Sequence, residues 1–443
     1  MGRTAPIRVV LVADAVGGVW DVTLSLASGL LASDGAAVLL VCVGPPPDAA
    51  RLAAAQAIPG LTLEVLGGHL EWMEGGRDWL ETLRHETARR AAAWNADLVQ
   101  VNAGSAGTGL AGVGDEAPLR ARSPRPPVVL GVHGDVAIWW LWVMDGGALP
   151  GTVAAYLHWQ RELARQALRR ADAVVCPSAF LANELVRCYR LARRPSVIPN
   201  AVLPLPEPDG PICREPDLAA VVGRAWDEAK NVALVAKARH ACRRPWRVEV
   251  AGDLAEPGRL PAVPPGAPGL SYLGFVNKRG LSRLFHRATV YVASSSYEPF
   301  GLSPVEAALA GCAVVANDIP AFREVWGDAA AYFARNDAGA LAALLDDLYD
   351  QPARVAALAA AAGRRAAQRY TMDRMVGAYR ALYTRLLARR GRCLLQPAAG
   401  APPAMSPAVR RPDLLPAHLP SPGPSLAATT RPQAAPAGHE GGL

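Results

Sequence analysis

The chain has 443 residues, 51% hydrophobic content and a formal net charge of +7. This length and composition exclude overall disorder and allow two or three domains, each with its own core. Seven scattered cysteines without a Cys-x-x-Cys pair disfavour a disulfide framework or a zinc site and favour a reducing compartment, so we expect a cytoplasmic protein. No run reaches the roughly 18 to 20 apolar residues of a membrane span, so membrane contact is expected to be peripheral at most.

Short strand-like runs alternate with helical segments through the first half of the chain. The opening run IRVVLVAD precedes a predicted helix over about residues 19–32, and further β-branched runs continue up to SVIPNAV near residue 200. Such alternation is typical of a parallel α/β sheet. We therefore predict a first Rossmann-like domain over residues 1–203 and a Pro-rich linker over residues 204–213.

A second series of strand-like runs begins with LAAVVGR and ends with CAVVAND, which predicts a second Rossmann-like domain over residues 214–368. Two such domains on one linker leave a cleft at the C-terminal ends of their strands, where these sheets bind ligands. Residues 369–390 are predicted to form an amphipathic helix. Residues 391–443 are rich in Pro, Ala, Ser and Gly and are predicted to be a disordered tail.

Two predicted strand ends in the first domain carry glycines and a histidine. Gly17 and Gly18 join the first strand to a helix, and without a Cβ they let backbone N–H groups approach an anion at the helix N-terminus. A tight turn explains them equally well. His133 ends a predicted buried strand, where it could donate to a sugar or a phosphate, although a structural histidine is the commoner role.

Two cations leave one predicted loop of the second domain. The segment VVGRAWDEAKN contains Arg224 and Lys230, which suit a diphosphate because arginine can grip two oxygens and lysine supplies a point charge. On spacing alone, pairing with Asp227 and Glu228 of the same loop is a slightly better explanation.

Two glutamates flank a turn in SSSYEPFGLSPVEAALAG, residues 294–311. Ser303 fits a helix N-cap, Pro304 the first helical position and Glu306 the third, so a capping box explains Glu306 by local structure. This explanation leaves Glu298, which lies before the turn, without a role.

Metal-dependent and nucleophilic hydrolase chemistry are disfavoured. The chain has no Asp-x-Asp motif and no Gly-x-Ser-x-Gly elbow. Asp346, Asp347 and Asp350 superficially resemble a magnesium site, but they fall on the polar face of a helical pattern and are predicted to be solvated surface.

Together these segments resemble the retaining glycosyltransferases of family 4, which have the GT-B fold. The most specific part is Glu298-x7-Glu306, supported by GRAWDEAKN, VIPNAV and DIPAFREVWGDAA in the expected order. The resemblance implies two Rossmann-like domains that face each other across a cleft, with the last helix crossing back onto the first domain.

The resemblance also implies residue roles. Arg224 and Lys230 would hold the donor pyrophosphate, although many members have these cations five rather than six positions apart. Glu306 would bind the ribose hydroxyls and Glu298 the transferred sugar.

In the same resemblance, Gly18 would approach the donor phosphate, and His133 would bond the sugar or its leaving phosphate. The other implied donor-binding residues are Gly17, Phe300, Gly301, Leu302 and Ser303. The residues implied in catalysis are Glu298, His133, Arg224 and Lys230.

The predicted function is retaining transfer of a hexose from a nucleotide diphosphate sugar to a carbohydrate or lipid-linked acceptor, a hexosyltransferase activity of EC class 2.4. No cofactor or metal is expected, because fixed cations and helix N-termini can stabilise the leaving diphosphate. Two alternatives remain, a GT-B sugar-nucleotide epimerase and a non-catalytic sugar-nucleotide-binding subunit. Peripheral membrane contact through a basic helix is a further expectation, and no nucleic-acid partner is expected.

Overall fold

Two parallel β-sheets organise the part of the chain that the computed structural model describes. The described residues are 6–33, 35–71, 73, 75–103, 108–144, 151–203, 205–208, 210–255 and 268–390. The predicted tail, residues 391–443, lies outside them. The predicted domain boundaries stay a prediction, but all strands of one sheet precede all strands of the other.

The first sheet has seven strands in the order β3-β2-β1-β4-β5-β6-β7, and every neighbouring pair is parallel. The order reverses between β1 and β4, and at such a point the loops after the strands separate and leave a crevice. The strands are β1 (Ile7–Asp14), β2 (Ala36–Val43), β3 (Thr62–Gly67), β4 (Leu98–Ala103), β5 (Val128–Val132), β6 (Ala173–Cys176) and β7 (Ser196–Val197).

Seven α-helices accompany this sheet. They are α1 (Gly18–Ala32), α2 (Ala49–Gln56), α3 (Gly76–Ala93), α4 (Ala117–Arg120), α5 (Val136–Val143), α6 (Gly151–Arg170) and α7 (Ala179–Tyr189). The central strands β1 and β2 are almost entirely buried between helix layers, which explains why they are continuous apolar runs rather than alternating ones.

The second sheet has six parallel strands in the order β10-β9-β8-β11-β12-β13, with the reversal between β8 and β11. Its strands are β8 (Glu215–Val222), β9 (Arg247–Ala251), β10 (Leu270–Gly274), β11 (Ala288–Ala293), β12 (Ala313–Asn317) and β13 (Ala331–Phe333). Its helices are α8 (Val232–Ala241), α9 (Lys278–Arg287), α10 (Leu302–Leu309), α11 (Pro320–Trp326), α12 (Ala338–Tyr349) and α13 (Pro352–Arg369). The α/β two-domain prediction is confirmed, and the three-residue strand β13 is an addition to it.

The last described helix, α14 (Met372–Ala388), packs on the first domain, as predicted. It crosses α1 closely, since a Cβ placed on Gly29 would lie 2.3 Å from Val376 Cγ2. The buried Tyr383 hydroxyl donates to the Gln100 side chain of β4. Apolar residues of α14 therefore complete the core on one face of the first sheet.

The C-terminal edges of the two sheets meet through the helices that follow the first-domain strands. Arg335 of the second domain stacks over Trp142 of α5, with its guanidinium carbon 4.7 Å from the ring centroid. Phe180 of α7 lies 6.3 Å from Tyr297, measured between ring centroids. The loops that follow the strands of both sheets are thus brought to one place.

Candidate functional site

Two helices begin opposite each other where the domains meet. Gly18 is the first residue of α1, and a Cβ placed on it would lie 3.1 Å from Leu302 Cδ1, in the first residue of α10. The N-cap residues of both helices are glycines, Gly17 and Gly301, so neither helix has an N-cap side chain to satisfy its first backbone N–H groups. Such uncapped helix N-termini carry partial positive charge and favour an anion.

Arg224 lies in the loop after β8, as predicted, and its guanidinium group is half-exposed. It donates from Nη2 to Asp227 Oδ2 at 2.5 Å and stacks over Trp226 at 5.2 Å from the ring centroid. The buried Asp227 also accepts from the Ala229 backbone N–H at 3.0 Å, which holds the turn together. Burial alone would raise the pKa of Asp227, but Arg224 and Lys230 outweigh it and lower the pKa. Arg224 therefore forms the ion pair with Asp227 that the spacing favoured, and its side chain remains 45% exposed.

Lys230 pairs with a predicted site residue rather than with its own loop. Its Nζ atom lies 2.5 Å from Glu298 Oε2, which also accepts from Ser295 Oγ at 3.4 Å. The Ser294 hydroxyl donates to the Lys230 carbonyl oxygen at 2.7 Å, so the two loops are docked on each other. The structure thus joins the cation predicted for phosphate to the acid predicted for the sugar.

The capping box predicted for Glu306 is wrong. Gly301 is the N-cap of α10, and its φ of 88° lies in the left-handed region that favours glycine. The helix therefore begins at Leu302, Ser303 is its second residue and Glu306 its fifth, too far along to reach back to the cap. Glu306 is buried, with a relative exposure of 4%.

Lys278 satisfies the buried Glu306 instead. Its Nζ atom lies 2.7 Å from Glu306 Oε1 and 3.0 Å from Asp21 Oδ2, in the first turn of α1. Lys278 therefore connects the second domain to the first beside the uncapped helix ends. Sequence analysis did not identify Lys278 or Asp21.

The turn between the two glutamates is held by its side chains. Phe300 is buried and packs edge-to-face on Tyr370, with ring centroids 5.1 Å apart. The buried Tyr291 hydroxyl donates to the Val222 carbonyl oxygen at 3.4 Å, and burial raises the pKa of that tyrosine. The Phe300 ring is therefore part of the core rather than a surface that a ligand could contact.

His133 follows β5 directly and precedes α5, which contacts the turn Glu228–Lys230 of the second domain. Both ring nitrogens are buried, and neither has a hydrogen-bond partner among the described residues. Burial lowers the pKa of His133 to about 4, so the ring is neutral at pH 7. A structural histidine normally has a hydrogen-bond partner. The lack of one among the described residues therefore favours the alternative that the ring binds a ligand.

The chain matches two models of known protein families. Residues 16–203 match the model described as Glycosyltransferase Family 4, and residues 216–351 match the model described as Glycosyl transferases group 1. The matches fall on the two domains in turn. The chain belongs to the family 4 glycosyltransferases.

Individual relatives of this glycosyltransferase match it over shorter segments. Glycogen synthase of Mycobacterium tuberculosis is 34% identical over 128 residues, which is 28% of this chain and 30% of the relative. The lipopolysaccharide core biosynthesis mannosyltransferase LpcC of Rhizobium leguminosarum bv. viciae is 35% identical over 105 residues, 23% of this chain and 30% of the relative. The chain thus matches less than a third of the length of either relative.

A solved structure shares the whole fold of this glycosyltransferase. The crystal structure of Anabaena Alr3699/HepE in complex with UDP-glucose superimposes with a TM-score of 0.65 and 16% identity. The superposition covers 86% of this chain and 100% of the other. Together with the two sheets, this likeness confirms the predicted GT-B fold.

The described part of this glycosyltransferase has neither a metal-binding cluster nor a membrane-spanning helix. Among the described residues, no three His, Cys, Asp or Glu side chains are grouped so that they could hold a metal ion. Asp346 is not solvated surface as predicted, because it is buried and accepts from the backbone N–H groups of Arg243 and Arg244 at 3.1 Å and 2.9 Å. None of the described helices combines the length and apolar character needed to span a bilayer.

Proposed function

We propose that the chain is a retaining hexosyltransferase that uses a nucleotide diphosphate sugar and needs no metal. The observation that carries this proposal is the contact between Lys230 and Glu298 beside the uncapped N-termini of α1 and α10. It places a cation, two positive helix ends and an acid next to one another, as a ligand with a diphosphate and a sugar requires.

The donor diphosphate would lie between Arg224, Lys230 and the helix N-termini. Arg224 is held by Asp227 and the helix N-termini by the backbone, so these groups need not reorganise when the leaving diphosphate gains charge. Lys230 would exchange its contact with Glu298 for a phosphate oxygen. Glu306 would bind the ribose, and the freed Glu298 carboxylate would accept hydrogen bonds from the sugar hydroxyls.

In the transfer step, the bond between the sugar anomeric carbon and the diphosphate oxygen breaks. The acceptor hydroxyl attacks on the same face, and its proton passes to the leaving phosphate, so the configuration is retained. His133 is neutral at pH 7 and would hydrogen-bond the sugar or the leaving phosphate without adding charge. Closure of the two domains would exclude water and limit donor hydrolysis.

The relatives suggest which donors and acceptors to test first. The Anabaena protein of similar fold was solved in complex with UDP-glucose, so UDP-sugars are the first donors to test. One matched relative is a mannosyltransferase of lipopolysaccharide core biosynthesis, so GDP-mannose and lipid-linked glycans come next. ADP-glucose completes the donor panel.

The test is transfer from each donor to a panel of glycan and lipid-linked acceptors, with the anomeric configuration of the product read by NMR. Lys230→Ala and Glu298→Gln are expected to lower transfer at least about a hundredfold, since each removes a charged contact to the reacting part of the donor. Lys237→Ala is the matched control, because this exposed lysine of α8 lies outside the site.

Three outcomes would contradict the proposal. Conversion of the donor sugar without any acceptor would indicate an epimerase, and donor binding without turnover would indicate a non-catalytic subunit. Loss of transfer on treatment with EDTA, restored by a divalent cation, would contradict metal independence.

A further inference from the structure

Lys278 occupies the junction between the predicted ribose carboxylate and the first domain. It is the first residue of α9, and the Asn277 side chain caps this helix by accepting from the Gly280 backbone N–H at 3.0 Å. The cap fixes the direction in which the lysine side chain leaves the helix. That direction leads to Glu306 at 2.7 Å and Asp21 at 3.0 Å.

The charge of Lys278 is maintained by these two acids. Burial alone would lower the pKa of the ammonium group, but Glu306 and Asp21 outweigh burial and raise the pKa above its ordinary value. The lysine therefore stays protonated at neutral pH. A buried carboxylate with a fixed cation beside it keeps one orientation.

The contact with Lys278 occupies one of the two carboxylate oxygens of Glu306. Lys278 donates to Oε1, and no described residue donates to Oε2. A carboxylate has about four acceptor positions, so one oxygen can hold the lysine while the other accepts from two neighbouring hydroxyls. Lys278 is thus placed to orient Glu306 without blocking it.

We propose that Lys278 is a positioning residue of the donor site, which holds Glu306 for the nucleoside and ties this side of the site to α1 through Asp21. The inference rests on the proposed function, because Glu306 has a ribose to bind only if the donor is a nucleotide sugar. Lys278 itself acts through Glu306 and is not assigned a contact with the reacting atoms.

The test compares a nucleoside diphosphate with inorganic pyrophosphate, which lacks the ribose. UDP, ADP and GDP are screened by calorimetry on the full chain, and the tightest of them is used with each variant. Lys278→Met is expected to weaken binding of the nucleoside diphosphate at least about tenfold and to leave pyrophosphate binding unchanged. Lys278→Arg restores a cation and is expected to recover most of the loss.

Lys237→Met is the matched control, since it makes the same substitution at an exposed lysine of the same domain. Asp21→Asn is expected to weaken nucleoside diphosphate binding less than Lys278→Met and to add nothing to it in the double variant, because Asp21 acts through Lys278. Additive effects of the two substitutions would overturn the tie to the first domain.

Two further results would overturn the role of Lys278. One is nucleoside diphosphate binding by Lys278→Met that is unchanged or tighter. Unchanged binding would mean that the lysine does not orient Glu306, and tighter binding that it blocks Glu306. The other is a loss of pyrophosphate affinity equal to the loss of nucleoside diphosphate affinity, which would mean a general effect of charge. If the wild-type chain binds no nucleoside diphosphate more tightly than pyrophosphate, the proposed function fails. If Glu306→Gln removes that preference while Lys278→Met retains it, the inference about Lys278 alone fails.

Discussion

Glu324 of α11 accepts a hydrogen bond from the backbone N–H of Phe180, in the first turn of α7, at 2.8 Å. Its other carboxylate oxygen accepts from the neighbouring Ala179 N–H at 2.6 Å. The two residues belong to different domains, so an acid of the second domain stabilises a helix N-terminus of the first. The ion pair between Lys278 and Asp21 joins the domains at another point.

We expect Glu324→Ala to lower the free energy of unfolding by about 1.5 to 3 kcal/mol, because two charge-assisted hydrogen bonds to the helix end are lost. Urea unfolding of the full chain measures the change. Asp318→Asn is the control, since Asp318 pairs with Arg323 at the exposed surface and should contribute at most about 1 kcal/mol. Equal losses in the two variants would contradict a specific role of Glu324 between the domains.

The contact between Lys230 and Glu298 predicts opposite effects on binding and on transfer. Without a ligand, Lys230 is paired with Glu298 and must leave it to bind phosphate. Glu298→Gln should therefore tighten binding of inorganic pyrophosphate by up to about fivefold, even though it lowers sugar transfer. Calorimetry measures the affinity.

Glu249→Gln is the control for this prediction, because Glu249 pairs with Arg287 in the same domain and has no contact with Lys230. It should change neither pyrophosphate binding nor transfer. Weaker pyrophosphate binding in Glu298→Gln would indicate that the acid orients Lys230 for phosphate rather than competing for it.

The sequence was sufficient to predict the two sheets and the strand ends at which several candidate site residues lie. The run IRVVLVAD coincides with β1, and its central residues are apolar because they are buried on both faces of the sheet. Arg224 and Lys230 follow a strand of the second sheet and His133 a strand of the first, and within one parallel sheet the C-terminal ends of the strands lie along one edge. Position along the chain therefore indicates the sheet edge at which each side chain lies.

The partners of these residues were not predictable, because they depend on contacts between distant segments. Lys278 and Asp21 belong to different domains, and no local pattern connects them. The capping box failed for a different reason. Gly301 adopts a left-handed backbone and is the N-cap of α10, two residues before the predicted N-cap Ser303, and a favourable cap sequence does not reveal this conformation.

His133 predicts a pH dependence of stability. The folded pKa is about 4 and the unfolded value about 6.5, so between these values the unfolded chain binds a proton that the folded chain does not. This contribution to the free energy of unfolding is complete above pH 6.5 and decreases as the pH falls towards 4. Between pH 7.5 and pH 5 it should amount to about 2 kcal/mol.

His133→Gln should remove this part of the pH dependence, and urea unfolding at the two pH values measures it as the difference from the wild type. His240→Gln is the control, because His240 is exposed at the end of α8 and should leave the wild-type dependence in place. An unchanged dependence in His133→Gln would mean that the buried ring takes up its proton in the folded state as easily as in the unfolded chain.

The packing of α14 on α1 predicts opposite effects for two glycine-to-alanine substitutions. In Gly29→Ala the new Cβ would lie 2.3 Å from Val376 Cγ2, so the helices must shift and the free energy of unfolding should fall by about 1 to 3 kcal/mol. In Gly377→Ala the new Cβ meets no heavy atom within 4 Å. The higher helix propensity of alanine should therefore raise the free energy of unfolding by up to about 1 kcal/mol. Adding Val376→Ala to Gly29→Ala makes room for the methyl group, so the double variant should lose less than the sum of the two single losses. Stabilisation by Gly29→Ala comparable to that by Gly377→Ala would mean that the last helix lies farther from the first domain than the structure places it.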